Sequence, residues 1–62
     1  MYFKAVYKIS FHEPWQGAFM TGKLVNGAYS KEEAESDRAR YEAYYREAYR
    51  DPHAKVELVS LV

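Results

Sequence analysis

The segment Tyr2–His12, with the sequence YFKAVYKISFH, decides the fold because its side chains alternate in character along its whole length. One side carries the apolar set Phe3, Ala5, Tyr7, Ile9 and Phe11. The other side carries Tyr2, Lys4, Val6, Lys8 and Ser10. A period of two predicts a β-strand whose first set faces a core.

A turn and a second strand follow this segment. Pro14 lacks a backbone donor and Gly17 permits unusual dihedral angles, so a turn is predicted over His12–Gly17. Ala18–Asn26 then reads as a strand antiparallel to the first, and Asn26-Gly27 is predicted to end it as a turn. Its two sides are Ala18, Met20, Gly22 and Leu24, and Phe19, Thr21, Lys23 and Val25.

The second half of the chain predicts a helix and a third strand. Ser30 with Glu33 forms a capping box, and Asp51-Pro52 stops the helix, which should run from Lys31 to about Arg50. Its core stripe is predicted to be Ala34, Arg38, Tyr41, Tyr45 and Ala48. Ala54–Val62 is the third strand, with Val56, Leu58, Ser60 and Val62 on one side and Val59 and Leu61 on the other.

The resulting order, β-β-α-β, predicts an α+β fold in one domain spanning residues 1–62. The simplest arrangement is a three-stranded antiparallel sheet in the order 2-1-3, with one long helix packed on one face. A chain of 62 residues buries only about 60% of its unfolded surface. The free energy of burial then roughly balances the conformational entropy lost, so a partner or a second protomer would help to stabilise the fold.

Composition excludes several classes of protein. Nine basic residues balance nine acidic ones, which gives no strong attraction to nucleic acid. The chain has no cysteine, so disulfide scaffolds and thiolate chemistry are excluded and a reducing cytoplasm is expected. Charged residues recur from Lys4 onward, which predicts neither a signal peptide nor a membrane span.

Little in the sequence indicates catalysis. No serine lies in a nucleophile motif, no glycine-rich phosphate loop is present, and the N-terminal proline of small tautomerases is missing. His12 and His53 should lie near each other in the 2-1-3 order, with Glu13 and Asp51 close by, which leaves a transition-metal site open as an alternative to solvated histidines. We expect no enzyme activity, no cofactor and no metal.

Aromatic residues make up 18% of the chain, and some of them must lie on the surface, where they commonly mark an interface. The sheet face left uncovered by the helix is either solvated or binds a partner, and its lysines make it mildly basic. Trp15 either caps the core beside Phe11 or Phe19 or projects as an anchor. Tyr44 and Tyr49, on the shoulders of the helix, either lean on the sheet edges or act as contacts. The candidate partner-binding residues are Trp15, Tyr2, Val6, Phe19, Tyr44, Tyr49, Val59 and Leu61.

Three segments carry a resemblance to a group of known proteins. They are Ser30–Glu35 (SKEEAE), followed by a helix rich in Tyr and Arg; Asp51–Val59 (DPHAKVELV); and the turn pair Trp15-Gln16. In this pattern the chain resembles small β-β-α-β accessory proteins of phages and other mobile elements. The resemblance implies a protein that works by binding, often by blocking a host enzyme or defence complex.

We therefore expect a non-catalytic protein-protein interaction module, with a host protein as its target and a homodimer as a further state. The alternative is a nucleic-acid-binding accessory protein that uses the aromatic and lysine-bearing sheet face. Salt dependence distinguishes the two.

Overall fold

The computed structural model describes residues 2–15 and 17–62. Its elements are β1 (Phe3–His12), β2 (Phe19–Ala28), α1 (Lys31–Ala48) and β3 (Lys55–Leu61). The sheet has the order β2-β1-β3, and β1 is antiparallel to both neighbours. This confirms the α+β fold with the central first strand and the helix packed on the sheet. Gln16, which the sequence assigns to the turn beside Trp15, lies outside the described residues.

The core lies between α1 and the sheet. Its buried members are Ala5, Tyr7, Ile9, Ala28, Ala34 and Val56. Tyr7 is the largest fully buried side chain, and its hydroxyl donates to the carbonyl of Ala34 at 3.0 Å. Burial raises the pKa of Tyr7, and the nearby charge of Asp37 adds to the effect.

Helix α1 begins at the predicted cap. The backbone N–H of Glu33 donates to Oγ of Ser30 at 3.0 Å, while the Glu33 carboxylate accepts from the N–H of Tyr29 at 3.3 Å. The helix ends at Ala48, two residues before the predicted end at Arg50. Arg50 has a φ of 52°, and the N–H groups of Arg50 and Asp51 donate back into the last turn, which is a Schellman motif with arginine at the left-handed position.

Two predictions about α1 and β2 are wrong. Ala48 is exposed instead of buried, because it faces a gap bounded by Pro14 and Trp15. Asn26-Gly27 does not form a turn but continues β2, because β1 extends far enough to pair with it. A Cβ at Gly27 would collide with the ring of Tyr2. Because glycine has no side chain, the ring of Tyr2 can pack directly on the sheet there.

A β-bulge in β3 reverses the predicted facing of its last residues. Tyr7 pairs with Leu58 and Val6 pairs with Ser60, so Val59 is an extra residue on β3. After the bulge, Leu61 lies opposite Ala5 and packs against the core, whereas Ser60 lies on the uncovered face. The prediction that Leu61 faces away from the helix is therefore wrong.

Candidate interaction surfaces

Polar side chains of α1 cover the start of the outer edge of β3. Glu42 accepts from the N–H of Val56 at 3.1 Å, and Arg38 donates to the Val56 carbonyl at 3.1 Å. Arg46 donates to the carbonyl of Ala54 at 2.9 Å. Glu42 also pairs with both arginines, at 3.3 and 3.2 Å. The outward backbone groups at the start of β3, which a free edge strand would offer to a partner, are thus used within the molecule.

A connected series of aromatic rings, here called the aromatic ladder, runs from the connection between β1 and β2 onto the side of α1 away from β3: Trp15, Tyr49, Tyr45 and Tyr44. Ring centroids are 6.1 Å apart between Trp15 and Tyr49, 5.9 Å between Tyr49 and Tyr45, and 5.4 Å between Tyr45 and Tyr44. The two ends are the exposed parts, with Trp15 74% and Tyr44 63% exposed. The ladder therefore presents two exposed rings on half-buried ones.

Phe11 of β1 holds the middle of the aromatic ladder in place. Its ring stacks on Tyr49 with centroids 4.2 Å apart and on Tyr45 at 5.6 Å. Burial raises the pKa of Tyr45, and the neighbouring phenols of Tyr49 and Tyr44 raise it further. The inner rings are thus fixed before any partner arrives, which lowers the entropy lost on binding.

An apolar groove runs beside the ladder, between α1 and β2. It is lined by Leu24, Arg40, Tyr41, Tyr44 and Tyr45 and has a volume of about 510 Å³. At one end, the side-chain amide of Asn26 donates to the hydroxyl of Tyr41 at 2.5 Å. The groove exists because α1 is tied to β3 and leaves the helix side of β2 partly uncovered.

The open sheet face, opposite α1, has a different chemistry. Its charged side chains are Lys4, Lys8, Lys23, Lys55 and Glu57. Val6 and Val25 pair at its centre. Aromatic contacts lie at its two ends: Tyr2 meets Tyr29 edge-on with centroids 5.0 Å apart, and Phe19 meets His12 at 5.0 Å. This face is basic with aromatic margins, as the uneven charge of the sequence predicted.

The predicted partner-binding residues fall into three groups. Trp15, Tyr44 and Tyr49 belong to the aromatic ladder. Tyr2, Val6, Phe19 and Val59 lie on the sheet away from that ladder, and all but Val6 are exposed. Leu61 packs against the core. Of the two readings of Trp15, exposure favours the projecting anchor, whereas Tyr49 is half-buried against Phe11.

Sequence reasoning missed three residues of the groove: Leu24, Arg40 and Tyr41. Tyr41 was assigned to the core, and it does meet Tyr7 edge-on at 5.4 Å, but its other side lines the groove. The sequence did contain an indication of the groove. Arg38, Glu42 and Arg46 recur every four residues and form a polar stripe on the side of α1 that faces β3, so the side of α1 toward β2 is left open.

The two histidines meet at Asp51, which joins the end of β1 to the start of β3. The carboxylate of Asp51 accepts from the backbone N–H of His12 at 2.8 Å and of His53 at 2.9 Å. These hydrogen bonds lower the pKa of Asp51. Within residues 2–15 and 17–62, no three His, Asp or Glu side chains form a group that could hold a metal ion.

No protein-family model, curated protein or solved structure matches this chain. In the part of the chain that the structure describes, no helix is both long and apolar enough to cross a membrane.

Proposed function

We propose that this protein is a non-catalytic module that binds a protein target through the aromatic ladder and the groove beside it. The observation that carries the proposal is the unbroken contact of rings from Trp15 to Tyr44, exposed at both ends and stacked on Phe11 in the middle. Trp and Tyr are the residue types most enriched among interface hot spots.

The charges around the ladder specify the chemistry of the target. Arg50 lines the gap beside Trp15, and Arg40 lines the groove beside Tyr44. Arg40 is already paired with Asp37, so a target that fits this arrangement offers an apolar or aromatic side chain to the groove and a carboxylate to Arg50. The resemblance to accessory proteins of phages and mobile elements adds that binding blocks a host enzyme or defence complex, in the cytoplasm.

The titratable groups with shifted pKa values are engaged in contacts within the molecule. Tyr7 bonds to the Ala34 carbonyl inside the core, and Asp51 holds two backbone N–H groups. A hydrogen bond to Asp37 raises the pKa of Arg40. Tyr45, whose pKa is raised by burial, stacks on Phe11 within the aromatic ladder.

Affinity capture with matched variants tests the proposal. Tagged wild-type protein, Tyr44→Ala and Tyr29→Ala are incubated with the same lysate, and the retained proteins are identified by mass spectrometry. Tyr29 is the control because it is 68% exposed, close to the 63% of Tyr44, but it contacts Tyr2 instead of the ladder. We expect one target retained by the wild type and by Tyr29→Ala and lost by Tyr44→Ala. A target retained equally by both variants would refute the assignment of this surface.

The open sheet face favours one second candidate, binding of single-stranded nucleic acid. Four lysines stand against one glutamate there, and Tyr2 and Phe19 offer rings for stacking. Fluorescence anisotropy with a labelled oligonucleotide at several salt concentrations tests it. Nucleic-acid binding should weaken steeply as salt rises and should be lost in Lys23→Glu but kept in Tyr44→Ala, which is the reverse of the expectation for the ladder.

A further inference from the structure

The two edges of the sheet differ in what covers them. Side chains of α1 occupy the outward backbone groups of Val56 at the start of β3 and the carbonyl of Ala54 just before it. β2 is the other edge strand, and no strand lies on its outer side within residues 2–15 and 17–62. At ten residues it is also the longer of the two edge strands. A long edge strand of this kind is a template for pairing with another strand.

The hydrogen bonds identify which residues of β2 point outward. The N–H of Glu13 donates to the carbonyl of Ala18 at 2.9 Å, so even-numbered residues of β2 bond to β1. The odd-numbered Gly27 fits this pattern, because its N–H donates to the side chain of Asn26 and not to β1. The odd-numbered residues therefore direct their backbone groups away from the sheet. They are Phe19, Thr21, Lys23 and Val25.

We propose that β2 pairs antiparallel with β2 of a second copy of the chain, about a two-fold axis at Gly22, to give a continuous six-stranded sheet. The sequence of this segment, Phe19–Val25 (FMTGKLV), reads the same in character from both ends: two apolar residues, one polar residue, glycine, one polar residue and two apolar residues. A two-fold interface requires self-complementarity of this kind.

In this register every exposed apolar side chain of the segment gains an apolar partner. Phe19, which is 60% exposed, lies opposite the partner's Val25, which is 51% exposed. Met20, which is 44% exposed, lies opposite the partner's Leu24 on the helix side. Thr21 lies opposite the partner's Lys23. Gly22, on the axis, has open space on the helix side, since nothing lies within 4 Å of a Cβ built there.

Neighbouring registers are less favourable. A residue whose backbone groups point outward must pair with another such residue of the partner strand. When the axis moves by one residue along β2, each residue therefore changes its partner by two positions. With the axis at Lys23, the two Lys23 side chains lie directly opposite each other, which destabilises an antiparallel pair. With the axis at Thr21, Phe19 lies opposite the partner's Lys23 and loses its apolar partner. Self-complementarity thus favours a second copy over an unrelated strand.

This inference does not depend on the aromatic ladder, which lies on the helix side and stays exposed in the dimer. Because each groove lies on the β2 side of its own helix, the two grooves open toward each other across the axis. A dimer of this form therefore presents two target sites side by side.

Disulfide trapping tests the proposed axis in a chain that has no cysteine of its own. Gly22 lies opposite itself in a non-hydrogen-bonded pair, with Cα atoms about 4.5 Å apart, and a disulfide spans about 4.4–6.8 Å. We expect Gly22→Cys to form a covalent dimer under mild oxidation at micromolar concentration, as seen on a non-reducing gel. Ser36→Cys, an exposed position on α1, is the control and should stay monomeric.

A mixture of two variants tests the register. Thr21→Cys and Lys23→Cys should each cross-link poorly alone, because like positions are diagonal neighbours about 7–8 Å apart. Mixed together they should cross-link well, since their Cα atoms would be about 5.5 Å apart. Light scattering of the wild type should give twice the monomer mass of 7.3 kDa. No more dimer from Gly22→Cys than from Ser36→Cys would overturn the proposal, and efficient cross-linking of Thr21→Cys alone would overturn the register.

Discussion

Replacement of Trp15 by alanine separates a surface anchor from a core cap, because the two roles predict different losses of stability. Trp15 is 74% exposed and meets Tyr49 edge-on. About a quarter of a side chain of roughly 250 Å² is then buried, or ~65 Å². At ~25 cal/mol/Å² this area contributes about 1.5 kcal/mol. A fully buried tryptophan would instead cost about 3–5 kcal/mol on truncation.

Urea denaturation followed by circular dichroism measures the loss directly, with Tyr29→Ala as the matched exposed control. We expect the Trp15→Ala variant to unfold cooperatively and to lose no more than about 1.5 kcal/mol. The wild type supplies an independent readout, because Trp15 is its one tryptophan. Its fluorescence should be red-shifted and readily quenched by iodide. A loss of about 3 kcal/mol or more, or a blue-shifted and protected emission, would refute the exposed anchor.

Three further predictions concern the fold. Arg50→Gly should stabilise the protein by about 1 kcal/mol, because arginine holds a left-handed φ of 52° that glycine adopts freely; an unchanged melting temperature would contradict this. Tyr7→Phe should cost about 1 kcal/mol at neutral pH through the lost bond to the Ala34 carbonyl. Since burial raises the pKa of Tyr7 above 10.0, its contribution is present below that pH and is lost as pH rises through the folded value, so Tyr7→Phe should also flatten the alkaline decline. Asp51→Asn should lower stability at neutral pH and flatten the acid limb: the lowered pKa of Asp51 stabilises the fold above pH 3.8, and that contribution is lost as pH falls through the folded value. An acid limb as steep as in the wild type would contradict it.

The parts of the fold that the sequence predicted are those set by local patterns. The alternation in Tyr2–His12 predicted β1 and its core face, and the crossover of the helix between the second and third strands predicted the central place of β1. The capping box at Ser30 located the start of α1 to the residue. Both signals act over a few residues and do not depend on how the elements pack.

The errors arise where pairing between distant segments overrides a local pattern. The run Glu57–Leu61 has no residue that marks a bulge, yet one extra residue at Val59 moves Leu61 from the open face to the core. Asn26-Gly27 is a strong turn signal, but β1 offers it pairing partners and Tyr2 fills the space above Gly27. Neither outcome can be read from the segment alone.

The sequence predicted which types of residue belong to the candidate site, but not that their rings contact one another. Trp15 and Tyr44 were nominated because exposed aromatics mark interfaces, although they are far apart in sequence. Their connection through Tyr49 and Tyr45 depends on the position of α1, which the hydrogen bonds of Glu42 and Arg38 to the backbone of Val56 tie to β3. The position of a helix on a sheet is set by tertiary packing, so the ring-to-ring contacts of the ladder could not be predicted from the sequence.

β2 separates two surfaces of opposite chemistry, and this separation makes the two candidate functions distinguishable by single substitutions. Leu24 points into the apolar groove, whereas the neighbouring Lys23 points to the open sheet face, because successive side chains of a strand lie on opposite faces. A phosphate-bearing partner is attracted to the lysines, and a protein partner with an apolar anchor is attracted to the rings around Tyr44. Since the sheet stands between them, Lys23→Glu leaves the groove intact and Tyr44→Ala leaves the lysines intact. The variant that loses the partner therefore identifies the face that binds it.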